Sequence, residues 1–553
     1  MKLDPLILAG SLCSAAGALV VTGCCQPDTA ELDAEHDAFD FDRYEFVTDA
    51  APRQTVVTGF LLGGAMAEIA VVKLNESGDR HLRIYSFVDG NWAPSLDATL
   101  RPGVLFVDVA EIDGRDQLLT YEPGRLNGFD PESGAERALV AVDCSFVPPR
   151  TDEVPHVDVT RDVNGDGRDD LVVPHRDGFR VFVQEGGGAF AEPLAVGRPP
   201  DLSGIYGADG YRYEPWTQSR VHEVDYDQDG RGDLVFWNGD HFEVHAQDER
   251  GLFTPEAGTF PAGVAFDSDD PFWLATGEMR GRVLHSLADL NADGVADLIV
   301  FSLEGRRIAR KRSAYEVHFG APVPGGGTRF APVADVAFRS DDSVHLGLER
   351  HDLDHDGQVD LMLTTIELDD LQGSLWKDIK GAMGDDIRLE LEFYRQEGGQ
   401  FAATPDASRL LALDGVPSHR EPGSVSLDIA LRGATHERRR TQKAWPRAFN
   451  STLRLGDVTG DGLSDLILGQ HPRSLSVFAG VPGPELFARR SQDVAVAVPN
   501  DEEYTRLVDL DRDGVQDVLM HQPFASRDAH GAPTGEPGQQ GTEPHRVIVL
   551  IAR

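Results

Sequence analysis

Cysteine is scarce in this chain: four among 553 residues, at positions 13, 24, 25 and 144. Cys144 has no partner within the stretch that reads as folded, so no disulfide framework is implied. Positive charge is also short, with 51 Lys and Arg against 93 Asp and Glu and a net charge of −42 at pH 7. Such a balance excludes recognition of nucleic acid through its phosphates. Long apolar runs are missing as well. The longest, Leu6–Val21, is shorter than the roughly 20 residues of a membrane-spanning helix. There is no Gly-x-Ser-x-Gly elbow, no His-Glu-x-x-His pair and no phosphate-cradling glycine loop, so no catalytic signature presents itself. A catalytic carboxylate pair among the 93 acidic residues stays open, because sequence gives no means of choosing one.

The N-terminus carries an address. Lys2 precedes the apolar run, which ends in Val21-Thr22-Gly23-Cys24. This resembles the bacterial lipoprotein signal, in which a small residue precedes a cysteine that is diacylated and becomes the new N-terminus. The resemblance implies a signal peptide over 1–23, lipid on Cys24, and a place in the bacterial cell envelope facing periplasm or exterior. An ordinary cleaved signal peptide is the alternative. Residues 24–43 are acidic and poor in apolar side chains, and read as a disordered tether.

What is abundant is a short acidic phrase. Asp162-Val-Asn164-Gly-Asp166-Gly167-Arg-Asp-Asp170 places oxygen-bearing side chains at loop positions 1, 3, 5 and 9 and glycine at position 6. A hard cation such as Ca²⁺ takes that donor set, with the carbonyl of position 7 adding an oxygen and glycine permitting the sharp turn. Five further copies follow: Asp225, Asp227, Asp229 and Asp233; Asp289, Asn291, Asp293 and Asp297; Asp352, Asp354, Asp356 and Asp360; Asp457, Thr459, Asp461 and Asp465; Asp509, Asp511, Asp513 and Asp517. The six begin 63, 64, 63, 105 and 52 residues apart, the spacing of a repeat protein. An EF-hand would place a glutamate at position 12. Here that position is Val173, Phe236, Val300, Leu363, Leu468 or Met520, so each loop feeds a short apolar strand instead. The bland reading is an Asp/Asn-Gly turn in a meander. A turn has no need of clustered carboxylates, each pair of which costs about 3 kcal/mol at ~5 Å and an effective dielectric of ~20. The loops hold 21 such carboxylates, and six bound Ca²⁺ would bring the net charge to about −30.

These loops and strands resemble the FG-GAP/VCBS-repeat β-propellers, relatives of the integrin α-subunit headpiece and of several lectins. The likeness covers most of 44–553. The name-giving phrase survives loosely, as in Phe319-Gly320-Ala321-Pro322. The resemblance implies an all-β chain with up to six structural Ca²⁺ ions in a single propeller over 44–553.

Eight blades are expected, starting near residues 60, 106, 158, 221, 285, 348, 453 and 505, with seven as the alternative. The first two are weaker copies: Phe60–Val72 has Gly-Gly-Ala-Met in place of the loop, and Phe106–Leu119 has a shortened one. Each repeat reads as four strands. In the copy at Asp162 these are Val157–Val159, Leu171–Pro174, Phe179–Val183 and a fourth around Phe190–Val196. A Gly-Gly-x-Phe-x-x-Pro phrase marks entry to the fourth. The last repeat stops at its third strand, and residues 44–48 are the candidate to complete it and remove an exposed sheet edge.

By the family's topology the acidic loops lie on one face. Second-to-third-strand and inter-blade connections leave from the other, and the unusual segments sort to that second face. They include Tyr206, Tyr211, Tyr213 and Trp216, then Phe272 and Trp273, and a basic run at Arg306, Arg307, Arg310, Lys311 and Arg312. An insertion at 366–384 carries Trp376 and has the spacing of a short amphipathic helix. A second, at 413–450, carries Arg438, Arg439, Arg440, Lys443 and Trp445. Aromatic rings and arginine are enriched at binding sites, although singly each reads as packing or ion pairing. The ligand-face candidates are therefore Tyr211, Tyr213, Trp216, Trp273, Arg306, Arg307, Arg310 and Trp445. Histidines 156, 222, 285 and 351 precede acidic loops at unequal offsets and read as incidental.

The expected function is a calcium-stabilised, envelope-anchored binding or adhesion module for a glycan or protein ligand, not an enzyme. Its membrane contact would be the lipid on Cys24. The alternatives are a polysaccharide- or phosphoester-acting enzyme on a propeller scaffold, and a purely structural envelope protein.

Overall fold

The computed structural model describes residues 39–49, 54–75, 77–131, 133–143, 153–199, 220–265, 279–305, 312–324, 326–341, 343–367, 387–413, 452–471, 473–499, 504–522 and 544–553. These fall within the compact unit Phe39–Arg553. They form eight four-stranded antiparallel sheets, the blades of a β-propeller. The blades begin at Gln54, Phe106, Thr160, Val221, Met279, Ser343, Thr452 and Thr505. Within blades 1 to 7 the strands pair in the order in which they occur along the chain. Blade 8 has three strands of its own, Thr505–Val508, Asp517–Gln522 and Arg546–Ala552, and takes its fourth from Phe41–Val47. That closing strand runs antiparallel to the third, from Phe41 opposite Ala552 to Val47 opposite Arg546. It starts ahead of the expected 44–48 and takes up the last residues of the expected tether.

Apolar patterning explains the stacking. The second strand of blade 3, Asp170–His175, is buried throughout, as is Asp233–Trp237 in blade 4. A strand buried on both faces needs a near-continuous apolar run rather than an alternating one. Successive clusters fill the seams between blades. Val57, Val72, Leu118 and Phe129 join blades 1 and 2, while Val224, Phe242, Leu298 and Phe330 join blades 4 and 5. The seam between blades 8 and 1 is packed like the rest, with Phe46, Tyr85, Trp92, Leu519 and Val549. Arginines of the innermost strands span neighbouring blades. Arg454 donates to the Thr505 carbonyl, and Arg506 to that of Val56 at 2.9 Å.

Three expectations are corrected. The first strand of blade 3 is Thr160–Arg161, not Val157–Val159. The Asp108 carboxylate accepts bonds from His156 Nε2, the Val159 N–H and the Thr160 hydroxyl, and draws the preceding segment onto blade 2. There Val157 bonds the Val107 carbonyl at 3.1 Å. The Gly-Gly-x-Phe phrase does not open the fourth strand. It makes an extra hairpin before it, as in Gln184–Glu185 with Ala189–Phe190 and Gln396–Glu397 with Gln400–Phe401. The insertion expected from 366 begins as strand, because Asp360–Glu367 runs extended to its last residue. The remainder of the expected helix lies outside the described residues, and no α-helix occurs among those described.

Candidate metal loops

Six connections between first and second strands follow one backbone path. Position 4 is left-handed in every loop: Gly165, Gln228, Ala292, His355, Gly460 and Arg512, with φ between 55° and 74°. Position 6 is glycine at φ between 79° and 89°. Left-handed backbone costs a non-glycine residue roughly 1–2 kcal/mol, so in four loops side-chain bonds must hold the turn. The first aspartate does much of this. Its Oδ2 accepts the N–H of the position-6 glycine, at 2.8 Å from Gly230 and 3.1 Å from Gly357. The aspartate at position 5 accepts the N–H of position 7, at 3.0 Å in Asp166 and 2.8 Å in Asp293.

Donor convergence differs between loops. In two of them positions 1, 3 and 5 come together: Asp225, Asp227 and Asp229, and Asp352, Asp354 and Asp356 each offer oxygens within 4.8 Å of one another. In the last loop Asp509, Asp511 and Asp517 do so, with Asp513 outside that set. Where position 3 is not acidic the side chains bond among themselves. Asn164 donates to Asp166 and Asn291 to Asp293, both at 3.1 Å, while the Thr459 hydroxyl lies 3.3 Å from Asp465. Arg168 and Arg231, at position 7, fold back onto the carboxylates of Asp166 and Asp229.

The aspartate at position 9 has a second task that sequence reasoning missed. Asp170, Asp233, Asp297, Asp360, Asp465 and Asp517 are at most 1% exposed, and each opens the second strand of its blade. In each, Oδ2 accepts the N–H of position 2, as from Leu290 at 2.9 Å and Val458 at 2.8 Å. Oδ1 accepts an N–H at or just beyond the end of the third strand, as from Gln247 at 2.8 Å, Gly480 at 2.7 Å and, in blade 8, Ala552 at 2.9 Å. One carboxylate thus ties the loop's start to the far side of its own blade. Burial is the largest influence on these groups. It pushes Asp170, Asp297 and Asp517 up to about 7 and Asp233, Asp360 and Asp465 to about 6.

The loops of blades 3, 4 and 5 are also gripped by the following blade. Gln247 of blade 4 donates to the Asn164 carbonyl at 2.8 Å, and Gln396 of blade 6 to that of Leu290 at 2.7 Å. Gly327 of blade 5 packs on Tyr226 at φ 106°, where a Cβ would stand 2.6 Å from the hydroxyl, so a larger residue would be strained and would have to displace the Tyr226 ring. The signal was in the sequence: glutamine recurs two residues after the third strand, as Gln184, Gln247 and Gln396.

The four noted histidines meet different neighbours. His156 pairs with Asp108 at 2.8 Å, His351 with Glu349 at 3.2 Å, and His222 accepts the Leu287 N–H; His285 is buried. Tyr211, Tyr213, Trp216, Trp273, Arg306, Arg307, Arg310 and Trp445 all lie outside the described residues, as do Cys24 and the leader. The strand order does put the flanks of those segments at the ends opposite the acidic loops, since second-to-third and inter-blade connections leave from that side.

Neither the scan of protein-family models nor the search of curated proteins returned a match. Solved structures with a similar trace include an Agrocybe aegerita lectin described as recognising non-reducing terminal N-acetylglucosamine. It shares 14% identity over 68% of this chain and 82% of that one, at a TM-score of 0.31. The Vibrio cholerae biofilm matrix protein Bap1 shares 12% identity over 90% and 76%, at 0.27. A Photorhabdus luminescens Tc holotoxin pore shares 14% identity over 87% of this chain, which spans only 17% of that one, at 0.27. At these scores the likenesses carry no argument about what this chain binds.

Proposed function

We propose that this chain is a calcium-stabilised propeller of the FG-GAP/VCBS kind that serves as a binding or adhesion module. Its ligand is a glycan or a protein, taken on the face opposite the acidic loops. The reading includes lipid attachment at Cys24 and a place in the bacterial cell envelope, and it assigns calcium a structural role. The observation that carries it is the common path of six loops, with three carboxylates converging in each of three of them. Ca²⁺ takes six to eight oxygens in flexible geometry. The side chains at positions 1, 3 and 5, with Asn164, Asn291 or Thr459 at position 3 in three loops and aspartate elsewhere, and the carbonyl of position 7 would hold it. The position-9 carboxylate can add a ligand with the lone pairs its backbone bonds leave over. Bound calcium would offset the repulsion among acidic groups that the empty loop must bear.

The test has two arms. Melting of residues 26–553 in excess Ca²⁺ and in chelator checks the metal, and equal melting temperatures would refute it. The Ca²⁺-loaded domain is then offered a broad glycan panel while reducing ends are assayed. Retention without cleavage supports the binding role. Cleavage would make the chain an enzyme, and retention that survives replacement of Arg306, Arg307 and Arg310 by serine would move the site elsewhere.

A further inference from the structure

Blade 8 holds two imidazoles that the proposed function does not use. His521 lies near the end of its second strand, and His545 stands just ahead of its third. They are 4% and 2% exposed, with ring centroids 5.5 Å apart. His521 Nε2 and His545 Nδ1 are both buried without a hydrogen-bond partner. Such a pair is tolerable only while both rings stay neutral.

His545 is also where the closing strand is fastened. Its carbonyl accepts the Thr48 N–H at 2.9 Å, and its own N–H donates to the Asp49 carbonyl at 2.6 Å. The Thr48 hydroxyl then donates to Gln54 Oε1 at 2.6 Å, and Gln54 Nε2 returns to the Asp49 carbonyl at 2.9 Å. The backbone that would have to give way to release the His545 ring is therefore the backbone that joins blade 8, the closing strand and blade 1.

The charges facing the pair are one-sided. Arg506 on the innermost strand acts on His521 with the same sign as a protonated His545 would. Tyr504, ahead of that strand, sets its ring edge-on to His521 at 6.0 Å. On the side of the closing strand the Asp49 carboxylate is taken by Lys73 of blade 1, and beside His545 Arg546 pairs with Glu45. Among the described residues no ion pair reaches either ring. Burial, the largest influence, pushes His521 down to about 3 and His545 to about 4.

We propose that His521 and His545 form an acid-sensitive catch on ring closure, so that protonation of either ring frees the closing strand Phe41–Val47 from blade 8. The sign follows from linkage. Both groups are depressed when closed and regain ordinary values near 6.5 when opened, so the opened join binds more protons as pH falls below about 6.5. Closure is fully favoured above that value and is lost progressively toward about pH 4. At about pH 5 each ring that regains its ordinary value favours the opened join by roughly thirty-fold.

Amide hydrogen exchange on the full chain in excess Ca²⁺, corrected for intrinsic rates, tests this. Between about pH 7.5 and about pH 5, protection of Phe41–Val47 and Val547–Ala552 should fall at least tenfold while Asp233–Trp237 in blade 4 keeps its own. In His521→Phe and in His545→Gln the fall should shrink, and either variant suffices if the other does not fold. A flat profile, an equal fall in every blade, or an unchanged fall in the variants overturns the proposal. A rise in protection on adding Zn²⁺ at neutral pH would make the pair a metal site and overturn it too.

Discussion

Blades 1 and 2 turn the same corner as the other six without the acidic loop, and they do it differently. Blade 2 shortens the connection to Asp113-Gly114, both left-handed at φ 57° and 75°, with Ile112 facing Arg115 across the hairpin. That is a two-residue hairpin turn of the kind that matches strand twist. Blade 1 keeps a longer connection from Phe60 to Ala67 with no acid at the chelating positions, yet its second strand opens on Glu68. Glu68 is 3% exposed and accepts the Leu62 N–H at 2.9 Å, the role that Asp170 and its five counterparts play. The difference separates two jobs in one motif. Positions 1, 3 and 5 gather carboxylates that the proposed function assigns to a cation, whereas the acid that opens the second strand bonds the loop backbone and would fasten it with or without one.

The largest effect expected from that separation is on the fastening. Asp297→Ala removes the acceptor of the Leu290 and Gly320 N–H groups in a fully buried place. Leaving two buried donors unpaired should cost about 3 kcal/mol or more. Denaturant unfolding in chelator should show most of that loss. A loss that vanishes in chelator would make Asp297 a metal ligand only and collapse the two jobs into one.

Asp227→Ala addresses the other job. At Ca²⁺ near 100 times the dissociation constant a filled site adds up to ~2.7 kcal/mol, and the variant should forfeit much of its loop's share. In chelator it should match the parent or exceed it, because one member of a crowded acidic set is gone. Asn164→Ala, in a loop with two carboxylates at positions 1, 3 and 5, should lose less. Equal losses for Asp227→Ala with and without calcium would mean that the charges serve the fold directly.

The blade count, the six loops and the strand that completes blade 8 were legible because each rests on local pattern. Repeated acids at fixed spacing, apolar runs after them and an unpaired last strand all sit within short windows. The fastening role was hidden for a physical reason. A carboxylate at position 9 reads as a ligand whether its oxygens face a cation or two backbone N–H groups, and Gln184 or Gly320 reaches it only once the third strand has returned. His521 and His545 were missed for the same reason, being 24 residues apart in the chain and neighbours only through strand pairing. The extra hairpins deceived differently: Gly-Gly-x-Phe does mark a turn, but one that grips the preceding blade's loop before the fourth strand begins. The Trp and Arg segments drew attention by composition alone, which says on which connection a residue lies but not what it touches.

The smallest effect tests the comparison most directly. Burial outweighs the bonds and the Arg115 charge acting on Glu68, so its carboxyl is raised above the usual glutamate value. A raised group contributes stability that is present below its unfolded pKa, about 4.3, and is lost as pH rises through the folded value. Glu68→Gln keeps an oxygen for the Leu62 N–H and carries no charge to bury. It should therefore be slightly more stable than the parent at neutral pH, by less than about 1 kcal/mol, with the gap closing in acid. Urea midpoints at about pH 7 and about pH 4 would read this difference. If Glu68→Gln were instead destabilised at neutral pH, the charge itself would be needed in blade 1. The acid that opens the second strand would then act as an ionised group, and the distinction between fastening and chelation would have to be redrawn for all seven blades that carry it.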